Sequence, residues 1–435
     1  MSGKQLMMLY GRNGLQLRVP EQAAVLSTDP IAALADPAGQ IRSALQNPIG
    51  CASLPELLQK KRPRSVAITI SDITRPVPNK VFLPILLDIL SQAGIKDDQI
   101  RIIIGTGMHR ESSDREKEIL VGGNVLSRIA VYDHKAEEER SLVDVSRDPL
   151  IRINKLFMEA DFRIVTGYIE PHFMAGFSGG RKGVCPALAD LATIQRFHGF
   201  ETLSNPLADN GLLQGNPCHE IALGVARKVE VDFLLNVTLT QRREIAGVYC
   251  GDLERAHLAG CRDVAEWTTA SFSKTFDLVI TNGGGFPLDL TFYQTVKGMC
   301  TALPALHANS TLLQVSECAE QLGSPAYTDL MLRYGHDWQG FLQDIEKHKD
   351  RTELDQWELQ MQTRVLQRIG RERLLFVSDG IPENVQRRIC VNPVLGDGPA
   401  QRRAQRVIDL YIEDNPSARI AVIPDGPYAM LKQSS

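Results

Sequence analysis

The feature that most constrains the fold of this chain is a set of short aliphatic runs that each end abruptly at a glycine, a proline or a polar residue. Buried parallel strands show this pattern when each strand feeds a loop and then a helix. The eight clearest runs are residues 65–70, 100–104, 162–166, 233–238, 278–281, 312–315, 374–377 and 420–423. They predict an α/β fold.

Between these runs, apolar residues recur every three or four positions, which is typical of helices that bury one face. The predicted helices are residues 80–92, 192–197, 220–228, 253–271, 294–306 and 329–348. The segment 349–372 is rich in charge, and we interpret it as a solvated helix without a functional role. The expected architecture is therefore mainly parallel sheets flanked by helices.

The chain has 435 residues, which is more than one hydrophobic core usually organises. A polar stretch at residues 268–275 separates a long helical pattern from a new strand, and we place the domain boundary there. The expected domains are residues 1–270 and residues 271–435, each with its own sheet, and the last helix or strand could pack back on the first domain.

Charge and hydropathy exclude several classes of protein. The net charge is −4 and no block of like charges occurs, so a nucleic-acid partner is not expected and a small ligand is favoured. No apolar run approaches the ~18 residues of a membrane span, and the first ten residues are too weakly apolar for a signal peptide. We therefore expect a cytoplasmic protein whose eight scattered cysteines are reduced thiols.

Four polar loops follow predicted strands, where ligands bind in open α/β sheets. In the first loop, residues 71–79, two prolines stiffen the turn and Arg75 can offer a bidentate fork to a carboxylate or a phosphate. A structural alternative is that Asp72 or Thr74 caps the helix that begins near Lys80.

The second loop, residues 105–110, has two glycines that permit close approach of a ligand to the backbone. It is not a dinucleotide-binding fingerprint, because Arg110 stands where the third glycine would be. His109 follows the strand directly and can take up a proton near neutral pH, so we consider it a candidate general base. The alternative is an exposed or structural histidine.

The third loop, residues 170–183, contains glycines, Ser178 and the pair Arg181-Lys182, which together suggest a cradle for a phosphate. We expect the loop to lead into a helix that runs to His198, so that an amine and an imidazole border one ligand. The alternatives are that Lys182 is a simple phosphate counter-charge and that His198 caps a helix.

The fourth loop, residues 282–289, contains three consecutive glycines that let the backbone approach another group closely. Tyr293, Gln294 and Lys297 follow at the start of the next helix, where at least two of them can face a cleft. A solvated helix is the alternative.

From Asp72 to Lys297 these loops together resemble the lactate racemase family that carries the nickel-pincer nucleotide, with a weaker likeness around Glu317-Cys318. The resemblance implies that Lys182 forms a thioamide to this cofactor, which is pyridinium-3-thioamide-5-thiocarboxylic acid mononucleotide. Two sulfurs and a ring carbon of the nucleotide bind nickel in this family, and His198 matches the histidine that completes the coordination.

The resemblance also implies roles for the other loop residues. His109 and His172 match the alternating acid and base of the family, and Arg75 and Lys297 match its substrate-binding cations. Tyr293 and Gln294 match neighbours of the substrate. The remaining expected cofactor-binding residues are Asp72, Ser178, Gly179, Gly180 and Arg181.

The implied activity is inversion of C2 of a 2-hydroxy acid by proton-coupled hydride transfer to and from the tethered cofactor. The resemblance places this site in a cleft between the domains and implies that cofactor-biosynthesis proteins load it. The resemblance does not say whether the enzyme is a racemase or an epimerase, or whether its substrate is lactate, a longer hydroxy acid or a sugar acid. The oligomeric state also stays open. The alternatives are a cofactor-free isomerase or lyase of a phosphorylated substrate and a non-catalytic nucleotide-binding module.

Overall fold

The computed structural model of this protein describes residues 3–434. The strands of the described residues are β1 Gly3–Met8, β2 Leu15–Pro20, β3 Ala24–Val25, β4 Val66–Ser71, β5 Ile100–Gly105, β6 Ala130–Asp133, β7 Leu142–Arg147, β8 Leu150–Asn154, β9 Phe162–Tyr168, β10 Pro171–His172, β11 Gly176–Phe177, β12 Phe233–Leu239, β13 Ile245–Gly251, β14 Thr269–Phe272, β15 Phe276–Asn282, β16 Leu306–Val315, β17 Leu374–Val377, β18 Asn392–Pro393, β19 Ile420–Val422 and β20 Met430–Gln433.

The α-helices of the same residues are α1 Pro37–Gln46, α2 Leu54–Lys61, α3 Asn79–Gln92, α4 Asp114–Val121, α5 Gly123–Arg128, α6 Lys155–Met158, α7 Leu191–Phe197, α8 Phe200–Ser204, α9 Pro217–Val229, α10 Leu253–Thr268, α11 Phe292–Ala302, α12 Pro325–Tyr334, α13 Trp338–Lys347, α14 Gln356–Ile369, α15 Glu383–Gln386 and α16 Ala400–Asp414.

The chain forms two compact units. The N-terminal unit consists of residues 30–198 and 205–267, and the C-terminal unit consists of residues 3–29, 199–204 and 268–434. The first strands thus fold with the C-terminal unit, whereas the sequence pattern predicts them in the first domain. The physical reason is long-range pairing, since β3 adds to the edge of a sheet beside β19 and β2 packs on α16. The last strand, β20, pairs with β14 of the same unit.

The N-terminal unit contains a six-stranded sheet in the order β13, β12, β9, β4, β5, β6, in which only β13 is antiparallel to its neighbour. The central strand β4 is covered on both faces, because every residue from Val66 to Ile70 is buried. On one face α3 contributes Phe82, Leu83 and Leu86 to the core.

The C-terminal unit contains a second six-stranded sheet in the order β18, β17, β16, β15, β19, β3, and all of its strands are parallel. Leu278, Ile280 and Leu313 of this sheet share one core cluster with Ala404 and Ile408 of α16. The predicted class, α/β with two mainly parallel sheets flanked by helices, is therefore confirmed.

Two helix predictions for the C-terminal unit are wrong. The pattern at residues 329–348 is two helices, α12 and α13, and a new N-cap forms where Asp337 accepts a hydrogen bond from the backbone of Gly340. The segment 349–372 contains α14, which is mostly buried rather than solvated. Its glutamines tolerate burial because they donate to carbonyls, as Gln362 does to Cys390 over 2.8 Å.

Among residues 3–434, the structure has no helix with the length and hydropathy that a bilayer crossing requires.

Candidate functional site

Three of the four predicted site loops leave neighbouring strands of the N-terminal sheet. The strands β9, β4 and β5 are adjacent and parallel, so the loops that follow them start at the same edge. The chain order also reverses here, because β5 lies on one side of β4 and β9 on the other. A crevice for a ligand is expected outside the sheet at such a switch point.

The first two loops meet through a short hydrogen bond. Nδ1 of His109 donates to Oδ2 of Asp72 over 2.6 Å, and the hydroxyl of Thr74 donates to Oδ1 of the same carboxylate over 2.6 Å. The Asp72 carboxylate therefore bonds to His109 and Thr74 and does not cap α3. The N-cap residue of α3 is Pro78, and the helix has no side-chain cap. The helix-cap alternative for Asp72 and Thr74 is wrong.

The Asp72 carboxylate sets the tautomer of His109. A carboxylate only accepts, so Nδ1 carries the proton and Nε2 presents a lone pair. Burial raises the pKa of Asp72, but the hydrogen bond and charge of His109, the hydroxyl of Thr74 and the charge of Arg75 outweigh burial, and the net pKa is lowered. The His109 side chain is 58% exposed, so a substrate can reach it.

The third loop brings His172 and Lys182 together. Nε2 of His172 and Nζ of Lys182 lie 2.9 Å apart. Nδ1 of His172 accepts from the backbone N–H groups of Met174 and Ala175, each over 3.3 Å. The two backbone N–H groups therefore occupy the Nδ1 side of the ring, and Nε2 is the nitrogen that faces Nζ of Lys182.

Arg181 is part of the core of this loop. Its side chain is 1% exposed and donates to the carbonyls of Ala175 and Gly179, over 2.7 and 3.4 Å. It also lies 3.1 Å from Nε2 of His257. Burial lowers the pKa of Arg181 to about 10. These contacts join the two arms of the loop that carries His172 and Lys182, so the geometry gives Arg181 a structural role.

Ser178, Gly179 and Gly180 also face protein groups. The hydroxyl of Ser178 donates to the carbonyl of Tyr168 over 3.0 Å. Both glycines have positive φ, and a Cβ on Gly180 would lie 2.4 Å from Cγ of His257. The glycines thus permit close packing within the chain, and no residue of this set is turned toward a phosphate by these contacts. Their cofactor-binding role stays a prediction.

The expected helix after the third loop begins late. A 3-10 helix, Gly180–Gly183, follows the loop, and α7 starts only at Leu191. The helix predicted at residues 192–197 is thus confirmed as α7, but its N-terminus does not lie directly behind the glycines. The chain instead turns back, and Nζ of Lys182 lies 5.3 Å from the ring centre of Phe197 in the last turn of α7.

His198 is the C-cap of α7, and Nδ1 of its ring lies 3.1 Å from the carbonyl of Ile194. Donation from Nδ1 to this carbonyl places the lone pair on Nε2. Burial, the charge of Lys182 and a smaller effect of His109 lower the pKa of His198 to about 3. The helix-cap alternative is thus correct for Nδ1 of His198. The same hydrogen bond also orients Nε2 as a metal ligand requires.

Arg75 lies beside Glu170, with its NH1 group 3.6 Å from Oε1 of the carboxylate. Both side chains are only partly buried. This contact links the first loop to the third loop. Within the N-terminal unit the structure therefore brings together Asp72 with His109, Arg75 with Glu170, and His172 with Lys182. Lys182 is also close enough to His198 for its charge to lower the pKa of that ring.

Tyr293, Gln294 and Lys297 lie on α11 of the C-terminal unit. The hydroxyl of Tyr293 accepts from Nε1 of Trp357 over 2.7 Å. The glycines that precede α11 pack within the same unit, since a Cβ on Gly283 would lie 2.4 Å from Oγ of Ser316. The close approach that these glycines permit is therefore to other residues of the same unit.

Two partners in this site were not predicted from the sequence. Glu170 was part of the third loop but received no role, and His257, which is 2% exposed, carries no local pattern that points to the loop. The link from Asp72 to Thr74 had a usable signal, because an aspartate often bonds to a residue two positions on. For the link from Asp72 to His109, the only signal in the sequence is that each residue follows the end of a predicted strand.

Comparison with known proteins gives a consistent result over most of the chain. The family model of the lactate racemase N-terminal domain matches residues 10–211, and that of the lactate racemase C-terminal domain matches residues 272–430. The lactate racemase of Thermoanaerobacterium thermosaccharolyticum is 33% identical over 397 residues, and that of Lactiplantibacillus plantarum is 32% identical over 395 residues. In both comparisons the match covers 90% of each chain.

Solved structures agree. The lactate racemase apoprotein from Thermoanaerobacterium thermosaccharolyticum superimposes with a TM-score of 0.90 at 30% identity, covering 99% of this chain and 100% of the other. A Thermotoga maritima protein of 17% identity superimposes with a TM-score of 0.66, which shows a shared fold. The homology supports a racemase function, which is an isomerase activity, and this chain belongs to the lactate racemase family.

Proposed function

We propose that this protein inverts C2 of a 2-hydroxy acid and that Lys182 tethers the nickel-pincer nucleotide on which the reaction depends. The observation that carries the proposal is the 2.9 Å contact between Nζ of Lys182 and Nε2 of His172. It places a group that can move a proton directly beside the amine to which the cofactor would be joined. Family membership supports the same assignment.

The side chains around Lys182 fit such a group. The amine lies over the ring of Phe197, and His198 next to that ring is neutral with its lone pair on Nε2. A neutral imidazole is a suitable donor to nickel. Lys182 would hold the nucleotide and His198 would bind its metal. When bound, the nucleotide supplies the hydride acceptor and the remaining donors to nickel.

His109 is suited to take the hydroxyl proton of the substrate. Its Nε2 presents a lone pair, and the Asp72 carboxylate at Nδ1 stabilises the imidazolium that forms. Asp72 thus acts as a positioning residue in this proposal, although the sequence resemblance assigns it to the cofactor. Thr74 in turn holds the Asp72 carboxylate in place.

His172 would serve the opposite face of the substrate. In the structure its Nε2 faces Nζ of Lys182 over 2.9 Å. With Lys182 joined to the cofactor, Nε2 would be the nitrogen available to exchange a proton with the substrate hydroxyl. One imidazole for each face of the substrate would allow either enantiomer to lose its hydroxyl proton.

The substrate carboxylate needs a cation throughout the reaction, because the 2-keto acid must turn over without leaving. Arg75, with its planar fork, and Lys297 are proposed for this role. Glu170 lies 3.6 Å from Arg75 and orients its guanidinium. Tyr293 and Gln294 are proposed as substrate neighbours on the helix that carries Lys297.

The experiment compares protein made in a host that has the cofactor-biosynthesis proteins with the variant Lys182→Ala and the control Lys155→Ala, an exposed lysine. We expect an intact-mass adduct that peptide mapping places on Lys182, stoichiometric nickel, and racemisation of a hydroxy acid in a panel read by chiral chromatography. Lys182→Ala should lose the adduct and the activity, and Lys155→Ala should keep both.

Two outcomes would contradict the proposal. Activity that survives complete removal of nickel and of the adduct would indicate a cofactor-free isomerase or lyase. Normal function after replacement of both His109 and His172, with ligand binding lost in Lys182→Ala, would indicate a nucleotide-binding module instead.

A further inference from the structure

The outward face of α16 carries its charges in the order that opposes the helix dipole. Arg402 and Arg406 lie in the N-terminal half, Asp409 and Glu413 lie in the C-terminal half, and all four are exposed. The first turn contains no acidic residue and the last turn no basic residue. Because the N-terminus of a helix is its positive end, Arg402 in the first turn and Glu413 in the last turn each lie near the end that repels them.

Interactions within the helix add to this cost. Arg402 and Arg406 are four residues apart, as are Asp409 and Glu413, and like charges at this spacing repel each other by a few tenths of a kcal/mol. Within residues 3–434, neither arginine forms an ion pair. Asp409 accepts a hydrogen bond from Gln405 over 2.9 Å. Arg406 and Asp409 are three residues apart, a spacing at which opposite charges attract, but this one pair does not explain why the charges of the face are segregated by sign along the helix.

The arrangement becomes favourable when the helix meets a copy of itself. The charges are symmetric about the midpoint between Val407 and Ile408, so an antiparallel copy places Arg402 opposite Glu413 and Arg406 opposite Asp409. The two-fold axis repeats both pairs, and the two helix dipoles then also run in opposite directions.

The shape of the surface is compatible with this pairing. The four charged residues are spaced at i, i+4, i+7 and i+11, which keeps them on one face of the helix. Leu410, with 49% of its surface exposed, lies on that face, and a shallow depression runs along the helix beside it. Under the same symmetry, Leu410 lies opposite Gln405.

We propose that α16 is a docking surface for a second copy of this chain, in an antiparallel two-fold dimer held by the pairs Arg402 with Glu413 and Arg406 with Asp409. A single helix of 15 residues is about 22 Å long and buries less than a standard interface. The dimer is consequently weak and weakened by salt.

The test uses the full-length protein and sedimentation velocity over a concentration series. The acidic-face variant is Arg402→Glu with Arg406→Glu, and the basic-face variant is Asp409→Arg with Glu413→Arg. The control is Lys60→Glu with Arg115→Glu, two exposed cations on helices of the other unit that give the same change of net charge as the acidic-face variant.

The wild-type protein should dimerise reversibly, and each face variant should raise the dissociation constant about tenfold or more, because like charges then face each other. An equimolar mixture of the two face variants should restore the dimer, and the control should dimerise as the wild type does. Arg402→Glu with Arg406→Glu should not lower the thermal midpoint, since acidic residues suit the helix N-terminus.

Three results would overturn the proposal. One is a wild-type protein that stays monomeric at about 1 mM in low salt, where weak interfaces of this kind associate. Another is a face variant that still dimerises by itself. The third is a mixture of the two face variants that fails to associate although both variants are folded.

Discussion

Asp72 is a residue whose role depends on one contact. It follows β4 and accepts from His109, which follows β5, so two residues 37 positions apart act as one unit. A carboxylate that fixes the tautomer of an imidazole and stabilises its charged form matters for rate more than for folding.

We therefore expect Asp72→Asn to lower kcat/KM of the loaded enzyme by about 100-fold or more. The asparagine can hold the ring in place but cannot compensate the charge of the imidazolium. Steady-state racemisation of both enantiomers measures the effect, and adduct mass on Lys182 checks that loading is intact.

Thr74→Val serves as the matched control for Asp72→Asn, because it removes one hydrogen bond to the carboxylate and leaves the charge. Thr74→Val should lower kcat/KM by about tenfold or less. Equal losses in the two variants, or a full loss of the Lys182 adduct in Asp72→Asn, would contradict a role of Asp72 through His109.

At the scale of elements, the loop between β9 and α7 depends on close packing of backbone. Gly180 has φ of +54°, and a Cβ there would lie 2.4 Å from His257. Its N–H donates to Oδ1 of Asn236 over 2.7 Å. These contacts fix the loop against β12 and α10, and they thereby set the backbone position of Lys182.

Gly180→Ala is expected to destabilise the protein by about 2–4 kcal/mol, since it adds a clash to the strain of a left-handed backbone. Gly94→Ala separates the two effects: this residue also has a positive φ, of +84°, but a Cβ there would meet no heavy atom within 4 Å. Its cost should be about 1 kcal/mol. Urea unfolding measures both variants, and equal costs would show that the clash is relieved.

At the scale of the whole molecule, acid should act unevenly on the two units. Burial lowers the pKa of His134 from its ordinary value of 6.5 to about 4. The ring is satisfied in its neutral form, since Nε2 donates to the carbonyl of Ala189 over 2.8 Å and Nδ1 accepts from Asn154 over 3.2 Å. The described histidines whose pKa is lowered are His134, His198, His219 and His257, which all lie in the N-terminal unit.

The sign follows from proton uptake. Between pH 6.5 and 4 the unfolded chain protonates His134 while the folded chain does not, so the contribution of His134 to stability is constant above pH 6.5 and falls as the pH drops toward 4. His134 alone accounts for about 3 kcal/mol at pH 4. Hydrogen exchange, followed separately for the two units as the pH is lowered, measures this loss of stability. The N-terminal unit should lose its protection first.

His134→Gln keeps a donor and an acceptor but does not titrate, so its unfolding free energy should vary less with pH than that of the wild type. A variant that shows the same pH slope as the wild type would rule out His134 as the origin of the acid sensitivity.

Local sequence patterns were enough to predict the α/β class, most strand positions and the residues at the strand ends, because buried parallel strands and amphipathic helices leave such patterns. Such patterns, together with the family resemblance, also single out Lys182, His198, His109 and His172 as candidate site residues, and their roles stay predictions. The strand β17, for example, spans the predicted residues 374–377. Local chemistry also identified Arg75 as a cation at a strand end.

The contacts of those residues could not be predicted, because they depend on how distant segments pack together. The pairing of Asp72 with His109, the contact of His172 with Lys182 and the burial of Arg181 in the core each join separate segments, and no local pattern encodes such contacts. The same holds for β3, which pairs with β19 from the opposite end of the chain. Local periodicity reports which face of an element is buried, whereas packing between elements decides its neighbours.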